Sequence, residues 1–234
     1  FVSEGTVLKE YTLSYGDAIP AQEKPTREGY TFVSWDKNVP DTVSDENVKN
    51  GKLVFQAVWK EIAYTISYDL AGGSLPTGKT NPTTFTINSK PMDLVQPKRE
   101  GYTFEGWSGT DINGKDTQVT VTARPLKDRT YTANWKENSY TIVFNVEGEV
   151  TRGEMKNIPL RYTQETTIPK NGYVCGGYKF VGWRTGGKKS EQKVYQPGDK
   201  VSRLCATNNG TVNLYPIWEP CEYTITFDYQ TGNK

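Results

Sequence analysis

The side chains that could carry acid–base chemistry in this chain are carboxylates, because its 234 residues include no histidine. Histidine is the commonest general base near neutral pH. Glu28 and Glu100 hold one repeated position beside a glycine, and Asn171 replaces them in the third instance. No pair of carboxylates recurs in a fixed relation to an aromatic cleft, so we interpret these glutamates as solvated turn positions. The sequence predicts no catalytic residues and no cofactor.

Cysteine chemistry is the second candidate, and it is confined to Cys175, Cys205 and Cys221. Their gaps of 30 and 16 residues, without histidine, do not match a zinc site, so no metal is predicted. Cys175 and Cys205 both lie in segments that make the last third of the chain longer than the corresponding earlier parts. A disulfide between Cys175 and Cys205 that staples these enlarged loops is predicted, with three reduced thiols as the alternative.

A basic segment between residues 184 and 203 could bind a polyanion such as a cell-surface glycan or teichoic acid. Two acidic residues, Glu191 and Asp199, oppose its six cations. Long loops on a rigid scaffold often carry binding, although a solvated basic loop is the alternative. The candidate contacts are Arg184, Lys188, Lys189, Lys193, Lys200 and Arg203.

Aromatic side chains could stack on sugar rings, but their pattern favours a core. They recur at strand positions that alternate with polar residues, as in Tyr64-Thr-Ile-Ser-Tyr68. The residues predicted to form the structural core are Tyr30, Phe32, Trp35, Trp59, Tyr102, Phe104, Trp107, Trp135, Tyr178, Phe180, Trp183 and Trp218.

The elements that position these aromatics form a repeat. Glu28-Gly-Tyr-Thr-Phe-Val-Ser-Trp35 returns at 100–107 and, more loosely, at 177–183. Each copy is followed by a strand ending in Trp59, Trp135 or Trp218, and then by a Y-T-I-x-Y/F segment. Such a period marks a domain-sized repeat. The predicted boundaries are 1–62, 63–138 and 139–221, with 222–234 as the first strand of a following repeat.

Local signals refine the strands. Trp107 lies an odd number of residues after Phe104, so a β-bulge at Gly106, or at the equivalent Ser34 and Gly182, is predicted to return the tryptophan to the core. Ser89 and Pro91 predict a short helical turn before Pro97. Pro216 requires a strand segment without a full set of ladder partners.

Bulk properties exclude several classes of function. A net charge of +1 gives no electrostatic footprint for nucleic acid or an anionic membrane. No apolar run approaches the ~20 residues that span a bilayer. The partners predicted are therefore neither nucleic acid nor a membrane interior.

Three motifs follow one another along the chain: P-x-R-E-G-Y-T-F-x-G-W, A-x-W and Y-T-I-x-F. In this order they resemble the motifs of the internalin B-repeat family, also called the Listeria–Bacteroides repeat. The resemblance covers nearly the whole chain three times. It implies a mostly β fold (α+β at most), with three small β-grasp-like, ubiquitin-like domains in an elongated array. It also implies large cell-surface proteins of bacteria, and it carries no catalytic residues.

Three functions remain open. The favoured one is a non-catalytic stalk of a secreted bacterial surface adhesin, spacing a recognition domain from the envelope. The alternatives are a module that binds a host or bacterial surface glycan or protein, and an accessory region of a secreted enzyme. The signal and anchor are expected outside this sequence.

The two ends of the sequence suggest self-association. The first repeat lacks counterparts of Tyr64 to Ser67, and Tyr223–Phe227 is a spare copy of that strand. Donation of this strand to a second molecule would satisfy unpaired backbone groups. The sequence thus predicts head-to-tail self-association through residues 223–229.

Overall fold

The computed structural model of this chain describes residues 1–146, 150–186 and 191–227. Contacts divide the chain into two compact units. The first comprises Phe1–Asp69, Thr77–Gln96 and Trp107–Thr132, and the second comprises Leu70–Pro76, Pro97–Gly106 and Ala133–Lys234. The division falls within the second sequence repeat, so each unit contains one terminal repeat and part of the middle one.

The first repeat, within the first unit, contains β1 (Val2–Ser3), β2 (Thr6–Val7), β3 (Tyr30–Trp35) and β4 (Ala57–Glu61). Strands β1 and β2 pair with each other, and β3 pairs antiparallel with β4. The register of β3 shifts between Phe32 and Ser34. The bulge predicted beside Ser34 is therefore confirmed.

The second repeat is built on a four-stranded sheet in the order β6-β5-β10-β8. These strands are β5 (Tyr64–Asp69), β6 (Thr84–Phe85), β8 (Tyr102–Gly109) and β10 (Arg129–Glu137). Strand β5 runs parallel to β10 and antiparallel to β6. A separate short pair joins β7 (Met92–Asp93) to β9 (Thr120–Val121).

The third repeat, within the second unit, has a five-stranded sheet in the order β13-β11-β19-β16-β17. Its first and last strands, β11 and β19, are parallel neighbours, and β16 is antiparallel to β19. The strands are β11 (Ser139–Phe144), β13 (Ile158–Arg161), β16 (Tyr178–Thr185), β17 (Val194–Tyr195) and β19 (Gly210–Pro220). Two short pairs complete it, β12 (Val150–Arg152) with β15 (Val174–Cys175) and β14 (Thr166–Thr167) with β18 (Lys200–Val201).

The described residues contain strands and turns and no α-helix. The helical turn predicted from Ser89 and Pro91 is wrong. The Ser89 hydroxyl accepts a hydrogen bond of 2.9 Å from the backbone N–H of Thr86, and so closes a turn instead of capping a helix. The segment that follows forms β7.

Each repeat has a core in which an aromatic packs on the first tryptophan; this aromatic lies at or near the end of β5 and β11, and directly before β1 in the first repeat. Ring centroids are 4.8 Å apart for Phe1 and Trp35 and 5.9 Å apart for Tyr68 and Trp107. The third pair, Phe144 and Trp183, is also separated by 4.8 Å.

In the third repeat, the register shift between Phe180 and Gly182 confirms the second predicted bulge. Trp183, which follows it, is fully buried. Pro216 also satisfies its predicted constraint, because the parallel ladder of β11 and β19 ends at Phe144 and Leu214, before Pro216 is reached.

Candidate functional site

The recurring Gly-Tyr turn creates a surface at one end of every repeat. Its glycine has a positive φ of 77°, 75° and 78° at Gly29, Gly101 and Gly177, a conformation in which a side chain is strained. The carbonyl of each glycine accepts a backbone hydrogen bond of 2.8–2.9 Å from a residue just beyond the last strand. We call this surface the socket. Its members are Gly29, Tyr30 and Glu61 in the first repeat, Gly101, Tyr102 and Glu137 in the second, and Gly177, Tyr178 and Pro220 in the third.

Each repeat also has a two-residue turn that precedes its Gly-Tyr turn in the sequence. Each turn is closed by a backbone hydrogen bond of 3.1 Å from the residue after the turn to the residue before it. We call the first turn residue the knob, and it is Tyr15, Ile87 or Tyr162 in the three repeats.

The first junction, in the first unit, places the knob Ile87 on the socket of the preceding repeat. A Cβ atom added to Gly29 would lie 2.9 Å from Cβ of Ile87, so only glycine leaves room. The neighbouring Asn88 side-chain amide donates hydrogen bonds of 2.7 Å to the Tyr30 hydroxyl and to a Glu61 carboxylate oxygen.

Charge reinforces the first junction. The Arg124 guanidinium Nη2 lies 2.8 Å from Glu28 Oε2 across this junction. This hydrogen bond from Arg124 lowers the pKa of Glu28. Hydrogen bonds from Thr86 and Asn88 lower the pKa of Glu61 in the same way.

The second junction, in the second unit, has the same geometry with an aromatic knob. Tyr162 is 6 % exposed, and a Cβ atom on Gly101 would lie 2.0 Å from its ring atom Cδ1. The Tyr162 ring packs edge-on against Tyr102 at a centroid distance of 6.3 Å. Desolvation and a hydrogen bond to the Glu100 carboxylate raise the pKa of Tyr162. The Thr163 backbone N–H donates a bond of 2.8 Å to Glu137.

The buried residue Asn138 adds hydrogen bonds to the second junction. Its side-chain amide donates to the Ala206 carbonyl at 2.7 Å, and its Oδ1 accepts from the Thr103 hydroxyl at 2.6 Å. Its backbone carbonyl accepts a bond of 2.9 Å from the knob, Tyr162. Ile62, the counterpart in the first junction, has no side-chain hydrogen-bonding group.

Sequence reasoning missed these junctions. Glu28 and Glu100 are exposed turn residues, as interpreted from the sequence, but they also contact the following repeat through Arg124 and Tyr162. The Lys-Glu pair that follows both Trp59 and Trp135 could have indicated the junctions from the sequence. Its glutamates, Glu61 and Glu137, both accept hydrogen bonds from the next repeat.

The residues predicted as core fall into three classes of burial. Trp107 and Trp183 are fully buried. Tyr178 is 47 % exposed, contrary to its prediction as core. Its counterparts Tyr30 and Tyr102 each carry an arginine guanidinium 3.7 Å from the ring, whereas Cys175 stands in that position here. The half-buried members are Tyr30, Phe32, Trp35, Trp59, Tyr102, Phe104, Trp135, Phe180 and Trp218.

The predicted polyanion contacts occupy two separate pieces of the third repeat. Arg184 and Lys193 lie at the β16–β17 edge, where the Arg184 guanidinium is 5.2 Å from the Tyr215 ring centroid. Lys200 lies on β18 and pairs with Glu165 at 3.1 Å, and Arg203 follows that strand. Lys188 and Lys189 lie outside the described residues.

The predicted disulfide is not formed, because Cys175, Cys205 and Cys221 are all free thiols. Cys175 is buried on β15, which pairs with β12. Cys205 lies in the loop after β18, where its sulfur is 3.9 Å from the Thr207 carbonyl oxygen. The two side chains thus have separate local surroundings.

The remaining candidate features are a metal site, a membrane span and the predicted donor strand. The part of the chain that the structure describes contains no group of three potential metal ligands. Within the same residues, no helix has the length and apolar character needed to cross a membrane. The side chains of Tyr223, Ile225 and Phe227 are exposed and lie outside any strand, while 228–229 of the predicted donor segment fall beyond the described residues.

Comparison with known proteins identifies the repeats. Residues 1–57, 64–135 and 140–215 each match the Listeria-Bacteroides repeat domain. The chain therefore belongs to this family, as predicted from its motifs.

Three relatives give the context of such repeats. A protein of Evansella cellulosilytica designated a Gly-rich membrane protein is 25% identical over 233 residues, covering 98% of this chain and 25% of the relative. A second protein of that organism, designated a membrane protein, is 23% identical over 92% of this chain and 31% of its own length. Internalin H of Listeria monocytogenes is 31% identical over 54% of this chain and 22% of its own length. The chain thus spans between about a fifth and a third of the length of these relatives.

Proposed function

We propose that this chain is a non-catalytic repeat region of a bacterial cell-surface protein, in which it spaces a recognition domain from the cell envelope. The observation that carries the proposal is the recurrence of one docking geometry, knob on socket, at both junctions. A spacer needs neighbouring repeats to keep a fixed relation, and packed side chains with directional hydrogen bonds supply it. A flexible tether would instead join its modules by Gly/Ser-rich segments without such contacts.

The proposed location is extracellular, at the cell surface. Internalin H and the two relatives designated as membrane proteins support an association with the cell envelope. An adhesin as the parent protein is part of the same proposal. The proposal also includes a β-grasp-like fold for each repeat. The parallel pairing of the first strand with the last, β5 with β10 and β11 with β19, supports such a fold.

Small-angle X-ray scattering on the whole chain tests the spacer. We expect the wild-type profile to fit a single conformation at low and high salt. The double variant Ile87→Ala, Tyr162→Ala should require an ensemble of conformations, while the exposed control Val194→Ala should behave as wild type. A wild-type profile that itself requires an ensemble would contradict the spacer.

A glycan- or protein-binding module is the second candidate, and the cations Arg184 and Lys193 at the β16–β17 edge favour it. An array of surface glycans and teichoic acids, probed with the whole chain, separates the two proposals. A spacer alone predicts no specific binding. Binding that is lost in Lys193→Glu and kept in the control Lys79→Glu would support the module. Catalysis retained by the parent protein after deletion of this region would support the remaining alternative, an accessory region of a secreted enzyme.

A further inference from the structure

A buried arginine, Arg129, stands where the other two repeats have an aliphatic residue. It is the first residue of β10 and lies opposite Ile66 on the parallel strand β5. The residue in the same register of the third repeat is Val212, opposite Ile142, and Leu53 has this place in the sequence of the first repeat. Arg129 is only 4% exposed. A buried cation is unfavourable unless its contacts compensate for lost hydration, so its contacts indicate its role.

The contacts of Arg129 reach two separate parts of the second repeat. Its guanidinium carbon lies 4.4 Å from the centroid of the Phe85 ring, and Phe85 precedes the knob Ile87 by two residues. Its Nη2 donates hydrogen bonds of 2.8 and 3.1 Å to the carbonyls of Thr122 and Pro125. Among the residues that the structure describes, no carboxylate forms an ion pair with Arg129. The ring and the two loop carbonyls therefore compensate for its burial.

The loop that Arg129 holds, residues 122–125, carries Arg124. The Thr122 hydroxyl adds a hydrogen bond of 2.8 Å to the Arg124 carbonyl, and the Arg124 Nη2 lies 2.8 Å from Glu28 Oε2 of the preceding repeat. The side chains of Arg124 and Glu28 are 60% and 64% exposed. An exposed ion pair contributes little unless its geometry is held, because ordering two long side chains costs entropy. A loop whose backbone is already fixed lowers that cost.

The second junction differs in a way that explains the aliphatic residue of the third repeat. There the loop before the last strand contributes a backbone carbonyl, that of Ala206, which accepts a hydrogen bond of 2.7 Å from Asn138. A backbone acceptor needs no side chain to be oriented for this contact. Val212 occupies the register of the arginine in that repeat.

We propose that Arg129 is a positioning residue of the first junction, which fixes the 122–125 loop on the core so that Arg124 meets Glu28. The same guanidinium rests on Phe85, so the knob turn and the loop of Arg124 are held by one group and dock together. This inference deepens the proposed spacer and rests on it, since it names the residue that joins two contacts of one junction.

An NMR titration of the Glu28 carboxyl group tests the proposal, because the hydrogen bond from Arg124 lowers the pKa of this group. Arg129→Leu keeps an apolar side chain near Phe85 but removes both hydrogen bonds to the loop. At low salt we expect the pKa of Glu28 in this variant to rise most of the way to its value in Arg124→Gln, which lacks the ion pair. The matched control Ile66→Val perturbs the same part of the core and should leave the pKa of Glu28 unchanged.

A role in stability alone gives a different result. Arg129→Leu would then lower the urea midpoint, as Ile66→Val does, while Glu28 kept its wild-type pKa, and this outcome overturns the proposal. If circular dichroism shows that Arg129→Leu does not fold, Arg129→Lys decides. Lysine retains the charge but lacks the planar fork that bonds both carbonyls, so an intermediate pKa of Glu28 is expected. An unchanged pKa in Arg129→Lys would then contradict the positioning role.

Failure of this inference and failure of the spacer are separate results. If Glu28 titrates alike in the wild type and in Arg129→Leu, Arg129 has no positioning role, whatever the scattering profile of the whole chain. If the wild-type scattering profile requires an ensemble, the spacer is contradicted, while a dependence of the Glu28 pKa on Arg129 still establishes how Arg124 is held.

Discussion

The two junctions share their backbone geometry but not their side-chain chemistry. The first uses an aliphatic knob, Ile87, supported by exposed polar contacts to Glu28 and Glu61. The second uses a buried aromatic knob, Tyr162, supported by the buried amide of Asn138. The difference indicates that the socket glycine fixes the docking geometry, while the surrounding side chains set the strength of the junction and its sensitivity to the solvent.

The largest expected effect comes from filling a socket. Gly101→Ala adds a Cβ 2.0 Å from the Tyr162 ring, whereas Gly177→Ala adds one in open space at nearly the same φ. Both variants carry a left-handed strain of about 1–2 kcal/mol. Gly101→Ala should lose about 1–3 kcal/mol more of unfolding free energy through overpacking. Urea denaturation of both variants measures the difference, and equal losses would show that the knob does not pack on the socket.

Truncation of the knobs ranks next. Tyr162→Ala removes a buried aromatic and should cost about 3 kcal/mol, at the lower end for buried rings. Ile87→Ala removes a half-buried aliphatic group and should cost about 1–2 kcal/mol. Tyr15→Ala, at the exposed knob, is the matched control and should change the stability of the monomer little. The ranking would fail if the Ile87 variant were the less stable of the two.

The amides should show a smaller contrast. Asn138→Ala removes a buried amide and leaves the half-buried Ala206 carbonyl without its donor, which should cost about 1–3 kcal/mol. Asn88→Ala exposes its partners to water and should cost about 0.5–1 kcal/mol. Hydrogen exchange of the amides around each junction would locate the losses. Comparable losses for both variants would mean that burial at the second junction matters less than the structure implies.

The smallest effect is electrostatic and distinguishes the junctions by salt. The exposed Glu28–Arg124 contact should weaken in 1 M NaCl, where the screening length falls to ~3 Å. The pKa values of Glu28 and Glu61 are lowered from 4.5, so their contribution is present above pH 4.5 and is lost as the pH falls further. Glu28→Gln should remove most of the salt dependence of protection around Ile87. Salt should leave protection around Tyr162 nearly unchanged, and an equal salt response at both sites would contradict the distinction.

The sequence predicted the elements whose signal is local. Alternation in residues 64–68 and 140–144 predicted β5 and β11, and the odd spacing of tryptophan predicted a bulge that the register of β16 confirms. The family was also recognised from its motifs. These features depend on period and residue type within a few positions, which one sequence displays directly.

Features that depend on a distant partner were not predicted. The knob residue is tyrosine or isoleucine in a turn, so nothing in its own neighbourhood indicates what it packs on. Ser89 was interpreted as a helix cap, but serine is equally favoured where its hydroxyl closes a turn, as it does here. Tyr178 appeared to be core because its motif is shared with Tyr30 and Tyr102. Its exposure follows from Cys175, three positions earlier, which replaces the arginine that covers those rings.

The placement of knob and socket bears on how the number of repeats could change in evolution. The knob lies near the start of each repeat, and the socket combines the Gly-Tyr turn with the end of the last strand. Each repeat thus carries one of each, and an in-frame duplication or deletion of one whole repeat in the gene brings a knob next to a socket at the new boundary. Changes in the length of such a protein would then need no compensating mutation elsewhere, provided that the residues opposite each other, such as Asn88 and Glu61, remain matched.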